Sequence, residues 1–378
     1  MSTLRAQGVS RRPARRVLVI SLLAVGLVLG LTINASGKTA GRAPEARQAA
    51  SQATYDFVVS NNFVGNDWRP QVQRLAVLTS KLAPFKGKVN MKVVVAENTV
   101  QAHIQSLNNI IQTRPDAIML IPSSDTAMNP SIKRACAAGI IVVTISAPVT
   151  EKCVWNANQN FYGGMKAVGR WMAQVLGRKG NVFVDRGIPG LGISKDIENG
   201  FLAGLKQDGP KIKVVGKFDG QYAPGPEQSG ISNLLVGNPD VQGVMTQGYC
   251  TPVFNAFKAA GKGAVPATCY GYNGELTACS KNSRKCAVLS GSPVVMQIAM
   301  KVALDALEGR PTPPKSKLVP VPMTLFITKS PAVNLRGAGV KVEVMKSGTN
   351  FFPNLPAGLA LPYTLPQYKI TPKQAAGK

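Results

Sequence analysis

The sequence predicts an α/β fold built from two doubly wound parallel-sheet lobes. Short apolar runs alternate along the chain with amphipathic segments of helical length, the pattern of βαβ units and parallel sheets. The strand candidates outnumber what one modest sheet holds, and 378 residues leave room for two domains. The strand candidates of the first half are "YDFVVS", "MKVVVAE", "DAIMLIP", "IIVVTIS" and "CVWNAN". After a long helix come "NVFVDRG", "IKVVGKF", "GVMTQG", "ATCYGYNG" and "CAVLSG". These runs are β-branched and end in small polar residues, as strands do. Between them, helices are expected near 70–82, 99–112, 126–138, 161–177, 194–207, 226–236 and 294–308. Beyond residue 350 the prolines argue against a long helix, and the sequence leaves open whether that stretch wraps a lobe.

Ahead of the first strand the chain reads as a leader and a spacer. Arg5, Arg11, Arg12, Arg15 and Arg16 precede the uncharged run Val17 to Ile33, with small residues at Ala35 and Gly37. That is a secretory signal over residues 1–37, so the chain is expected to be exported to the periplasm. An uncleaved membrane anchor is the other reading of this run. Residues 38–53, small and polar, form a flexible spacer.

The formal charge is +26; without the five leader arginines, +21 remains. The bases are scattered in ones and twos, among them Lys86, Lys88, Lys92, Lys262, Lys281 and Lys285. A solvated basic surface is expected rather than a nucleic-acid stripe. Cys136, Cys153, Cys250, Cys269, Cys279 and Cys286 form no CxxC, which argues against a zinc ribbon. Six cysteines in an exported chain suggest disulfides in any of 15 connectivities; the sequential pairing links near neighbours, and unpaired buried thiols are the alternative.

Reactive motifs are scarce. "GIPGLG" (187–192) follows a strand but misses the dinucleotide spacing, and there is no phosphate loop. His103, the single histidine, lies on an amphipathic helix as a surface or packing residue. No nucleophile elbow or metal-spaced cluster is present. The chain is not expected to be an enzyme, and no cofactor or metal is implied.

One short stretch stands out. In "FVGNDWRPQV" (63–72) an indole and a guanidinium sit side by side just past the first strand. An indole face stacks on the C–H face of a sugar or on a flat ligand. An arginine fork gives directed hydrogen bonds to hydroxyls or a carboxylate. Core packing is the competing role for Trp68, and a turn the competing role for Asn66.

The alternation, together with "KRACAAGIIVVT", "NPDVQGVMTQG", "AFKAAGKG" and "CYGYNG", resembles type I periplasmic binding proteins. More narrowly it is similar to the ribose/galactofuranose-type sugar-binding components of ABC transporters, over roughly residues 54–330. The resemblance implies two lobes joined by three crossovers, with the ligand held in the cleft between them. It divides the chain into 54–157 with 293–322, 158–292 with 323–349, and an extension from 350 to 378. The matched cleft positions are Asn66, Trp68, Arg69, Ser123, Ser146, Asn158, Lys195, Tyr222, Tyr249, Asn273 and Ser292. Asp125 is expected to cap a helix. The family's Asp-Arg clamp after the fourth strand is replaced by Ser146 and Ala147, Tyr249 replaces a carboxylate, and Asn273 replaces the aspartate of Gly-Phe-Asp-Gly. A polar but lightly charged pocket follows, suited to a sugar, a sugar derivative, a small polyol or a flat ligand. The implied partners are that small molecule and the membrane permease of an ABC importer, and the implied state is a monomer. A receptor that presents its closed form to a membrane kinase or chemoreceptor shares the same pocket.

Overall fold

The computed structural model of the chain describes residues 54–62, 65–281, 284–315, 317–328, 333–337 and 339–378. The expected leader (1–37) and spacer (38–53) lie outside the described residues.

The first lobe contains β1 (Tyr55–Asn61), α1 (Trp68–Ser80), β2 (Val89–Val95), α2 (Val100–Gln112), β3 (Ala117–Ile121), α3 (Asn129–Ala137), β4 (Ile141–Ile145) and β5 (Trp155–Asn158). The chain crosses to the second lobe with α4 (Phe161–Val175), β6 (Lys179–Asp185), α5 (Gly192–Asp208), β7 (Lys211–Phe218) and α6 (Pro224–Gly237). It continues through β8 (Gly243–Met245), α7 (Thr251–Ala259), β9 (Ala267–Tyr270), α8 (Asn273–Ser280) and β10 (Cys286–Leu289). Helix α9 (Val295–Leu307) and β11 (Leu318–Pro320) return to the first lobe, and β12 (Thr324–Thr328) and β13 (Lys341–Met345) complete the second. The short helix α10 (Pro372–Ala376) ends the chain.

The first sheet runs β11-β5-β4-β3-β1-β2 and the second β13-β12-β10-β9-β8-β6-β7. All pairings are parallel except β10 with β12. The two doubly wound lobes expected from the sequence are therefore present. The lobes join at three crossovers: β5 to α4, β10 to α9, and β11 to β12. Central strands such as β3 ("AIMLI") are buried along their whole length, because helices cover both faces.

Strands β11, β12 and β13 extend the expected set. β11 has only three residues and ends in proline, so it carries no alternation to read. β13 ("KVEVM") alternates charged and apolar residues, the pattern of an edge strand open to water on one face. The cysteines are joined in sequential order, Cys136–Cys153, Cys250–Cys269 and Cys279–Cys286.

Helices α4 and α5 meet through glycine. A Cβ on Gly169 would lie 2.1 Å from the Phe201 carbonyl oxygen, and one on Gly204 2.1 Å from that of Lys166. The two backbones can approach only because neither residue has a side chain. Gly169→Ala is expected to force the helices apart and to cost about 1–3 kcal/mol. A urea titration checks this, and an unchanged midpoint would contradict the contact.

The C-terminal stretch is packed, not dangling. Leu359, Ala360, Leu361, Tyr368, Ile370 and Ala375 are buried. It leaves the second lobe beside α8 and ends against α1 and α9 of the first. Asn273 N donates to Leu359 O at 2.8 Å and Leu361 N to Gly271 O at 3.0 Å. Gln71 on α1 then brackets Ala360, accepting from its N–H at 2.8 Å and donating to its carbonyl at 3.0 Å. Further on, Leu365 N donates to Gln297 Oε1 of α9 at 2.7 Å. The tail is thus a fourth passage between the lobes.

Candidate functional site: the cavity between the lobes

Both sheets point the carboxyl ends of their parallel strands at one another, and a cavity of about 60 Å³ lies between them. Loops there follow strand ends, where open α/β sheets place ligands. Of the expected cleft residues, Asn66, Trp68, Arg69, Ser146 and Tyr222 line this cavity.

Trp68 and Arg69 open α1, directly after β1. The Trp68 Nε1–H donates to the Gly291 carbonyl at 2.8 Å, so the indole is fixed by the β10–α9 crossover; it is buried in the hydrophobic core, the competing role, and also lines the cavity. Arg69 is buried; its Nη1 donates to Asn61 Oδ1 at 2.6 Å and also to Asn62 Oδ1. Burial lowers its pKa to about 10, so the guanidinium stays charged at neutral pH. Asn66 takes the turn role, its Oδ1 accepting the Arg69 backbone N–H at 3.1 Å, and it also lines the cavity. Ser146 follows β4 with a left-handed backbone, φ 66°. Tyr222, φ 53°, follows β7, and its hydroxyl meets Ser194 Oγ at 2.8 Å.

The other six expected residues lie elsewhere. Ser123 meets His103 Nδ1 at 3.1 Å behind the wall. Asn158 is buried at the end of β5, where its Oδ1 accepts Gln159 N at 2.9 Å. Lys195 lines an outer groove with Asp125, Arg186 and Glu198. Tyr249 stacks behind Tyr272, ring centroids 5.0 Å apart, and donates its hydroxyl to Asp67 Oδ2 at 3.2 Å across the lobes. Asn273 opens α8 and donates to the Phe352 carbonyl of the tail at 3.0 Å. Ser292 donates to the Pro362 carbonyl at 2.6 Å within the tail contact. Asp125 caps no helix; Ser124 Oγ instead accepts from Ala127 N at 3.0 Å.

The remaining wall comprises Ile121, Pro122, Ala147, Leu191, Ile193, Ile197, Gln247, Tyr270 and Tyr272. Period-two alternation in "CYGYNG" puts Tyr270 and Tyr272 on one face, which is the signal that finds them. Leu191 and Ile193 have no such signal, since they come from an irregular loop and the first turn of α5.

Buried carboxylates hold the loops of the second lobe. Asp185, at the end of β6, accepts from the backbone N–H of Gly187 and Gly220 at 2.7 Å and of Gln247 at 2.9 Å. Burial nevertheless raises its pKa to about 6. Glu227 accepts from Tyr249 N at 2.9 Å, and Glu275 from Cys250 N at 2.7 Å; burial pushes both upward. These groups fix Tyr222, Gln247 and Tyr249 without entering the cavity. His103, fully buried between Ser60 and Ser123, is likewise a supporting residue, lowered by burial to a pKa of about 4.

The chain matches the periplasmic binding protein domain family over residues 57–311, more than half its length. It belongs to that family. It is accordingly a binding protein rather than an enzyme, in keeping with the scarcity of reactive motifs in its sequence. It is 26% identical over 251 residues to a ribose import binding protein of Bacillus subtilis (strain 168), covering 64% of this chain and 79% of the relative. A xylitol-binding protein of Mycolicibacterium smegmatis is 23% identical over 254 residues, 65% of this chain and 68% of that one. The crystal structure of an ABC transporter solute binding protein from Thermobispora bispora superposes with a TM-score of 0.65 at 26% identity, covering 71% of this chain and 84% of that one. Among the described residues of this binding protein, no helix is long and apolar enough to cross a membrane.

Proposed function

We propose that this chain is an extracytoplasmic solute-binding protein that captures a sugar-like molecule by hinge closure and delivers it to the permease of an ABC importer. The observation that carries the reading is the cavity between the two sets of strand ends, with Trp68 and the buried Arg69 on its wall. An indole face for a ring and a charged fork for hydroxyls form the two-part grip that a small polar ring requires. Relatives described as ribose-import and xylitol-binding proteins support a polyhydroxylated ligand. The proposal includes export by the leader, action as a monomer, and a ligand grip shared by Asn66, Trp68, Arg69, Ser146 and Tyr222.

A thermal-shift screen of the purified protein against pentoses, hexoses, polyols, sugar acids and small aromatics tests this. A ligand at a hundred times its dissociation constant adds about 2.7 kcal/mol of stability. One sugar or polyol is expected to raise the melting temperature, and Trp68→Ala is expected to remove the shift. Silence from the whole library would count against the reading.

A further inference from the structure

Bases that are scattered along the sequence gather at one end of the second lobe. Its parallel strands run toward the cleft, so the residues that begin them and those that end the intervening helices meet at the far pole. Lys179 and Lys211 begin β6 and β7 and are direct Cα partners, and Lys285 stands just before β10. Arg178 and Lys206 lie at the ends of α4 and α5 on one side of the sheet, Lys258 and Lys281 at the ends of α7 and α8 on the other. All seven are exposed, and none has an ion pair among the described residues.

Among the described residues, the acids set at this pole are Asp208, held by Arg170 at 3.2 Å, and Asp240. The matching end of the first lobe mixes signs: Asp56, Asp116 and Glu308 stand among its bases, and Lys88 pairs with Glu308 at 2.8 Å. Side by side on strands about 4.8 Å apart, Lys179 and Lys211 repel one another, and an anion set against them relieves that repulsion.

We propose that this pole of the second lobe docks on an anionic phospholipid surface and holds the binding protein beside the bilayer. The bases span the sheet and both helical layers, so they spread in two dimensions, as a membrane surface does, rather than along one groove. Val236, 87% exposed at the end of α6, stands on the same pole and gains by entering the headgroup region. The pole lies at the opposite end of the strands from the cavity, so docking leaves the cavity free. The inference adds a partner to the solute-binding reading and does not depend on the solute.

Sedimentation of the purified chain with vesicles tests it. Vesicles of equal parts phosphatidylglycerol and phosphatidylcholine are compared with phosphatidylcholine alone, at low and at high salt. Binding is expected to the anionic vesicles only, and to be lost at high salt. Lys179→Glu, Lys211→Glu and Lys285→Glu together are expected to weaken it at least about 100-fold. Lys206→Glu, Lys258→Glu and Lys281→Glu, in the helical layers, are together expected to do the same, and they carry the test if the first variant does not fold. Lys81→Glu, Lys86→Glu and Lys92→Glu in the first lobe change the net charge equally, and this control is expected to bind within about tenfold of the parent. An equal loss in the control, parent-like binding by either folded pole variant, or equal binding to neutral vesicles overturns the inference. So does capture of soluble dextran sulfate by a protein that ignores anionic vesicles. Solute binding by the pole variants is expected to stay unchanged, so this inference and the solute-binding reading fail separately.

Discussion

Arg69→Met is expected to weaken ligand binding by roughly 10- to 150-fold, because a hydrogen bond to a charged group contributes about 1.5–3 kcal/mol. The arginine is set in place before any ligand arrives. Asn61 and Asn62, at the end of β1, accept from its Nη1, and Asn66 holds the backbone at its own N–H. That pre-organisation is why removing it affects affinity rather than flexibility. Arg69→Lys keeps the charge but replaces a planar fork with a compact ammonium, so it is expected to recover only part of the loss. Calorimetry with the ligand found by the screen gives both affinities. A thermal melt of each variant separates lost binding from lost fold, since Asn61 and Asn62 also lose their donor. If Arg69→Met binds within twofold of the parent while folding normally, Arg69 is not part of the grip.

How much of this site was legible in the sequence depends on what each residue does there. Trp68 and Arg69 are large, polar-tipped groups just past the first strand, so they could be singled out directly, although Trp68 also packs in the core and Arg69 also ties down Asn61 and Asn62. Tyr249 and Asn273 sit at motif positions that carry carboxylates in the resembled family, yet both turn away from the cavity. Tyr249 is needed behind Tyr272, and Asn273 N is needed by the tail at Leu359 O. A tail that the motif does not include has taken over the Asn273 position. Asp185, Glu227 and Glu275 stand in no motif of the sequence. Only the fold shows that backbone N–H groups from distant loops converge on them. The fold itself was more legible than the site, because buried parallel strands such as "AIMLI" and "IVVTI" announce themselves by composition alone. What escaped were β11 and β13, which lack that composition, and β12 ("TLFIT"), which has it.

The tail yields the second large effect. Gln71 is fully covered, and its amide satisfies both the N–H and the carbonyl of Ala360, which is itself buried. Gln71→Met keeps the shape of the side chain and removes both bonds. Each buried backbone group left unpaired costs about 1–3 kcal/mol, so a loss of about 2–6 kcal/mol is expected. The consequence for function follows from where Ala360 sits. Its neighbour Leu361 donates to Gly271 of the second lobe, whereas Gln71 belongs to the first. Opening the cleft must either carry the tail with one lobe or stretch it between the two. Releasing it from α1 therefore biases the ligand-free protein toward the open form. The apparent affinity then falls by the fraction of molecules that remain closed. Small-angle scattering of the ligand-free variant is expected to give a larger radius of gyration than the parent, with the difference disappearing on ligand saturation. A urea titration supplies the stability loss at constant slope. An unchanged radius together with an unchanged midpoint would mean that the tail merely covers the surface, and the lobes would then be held by their three crossovers and by direct contacts such as Tyr249–Asp67.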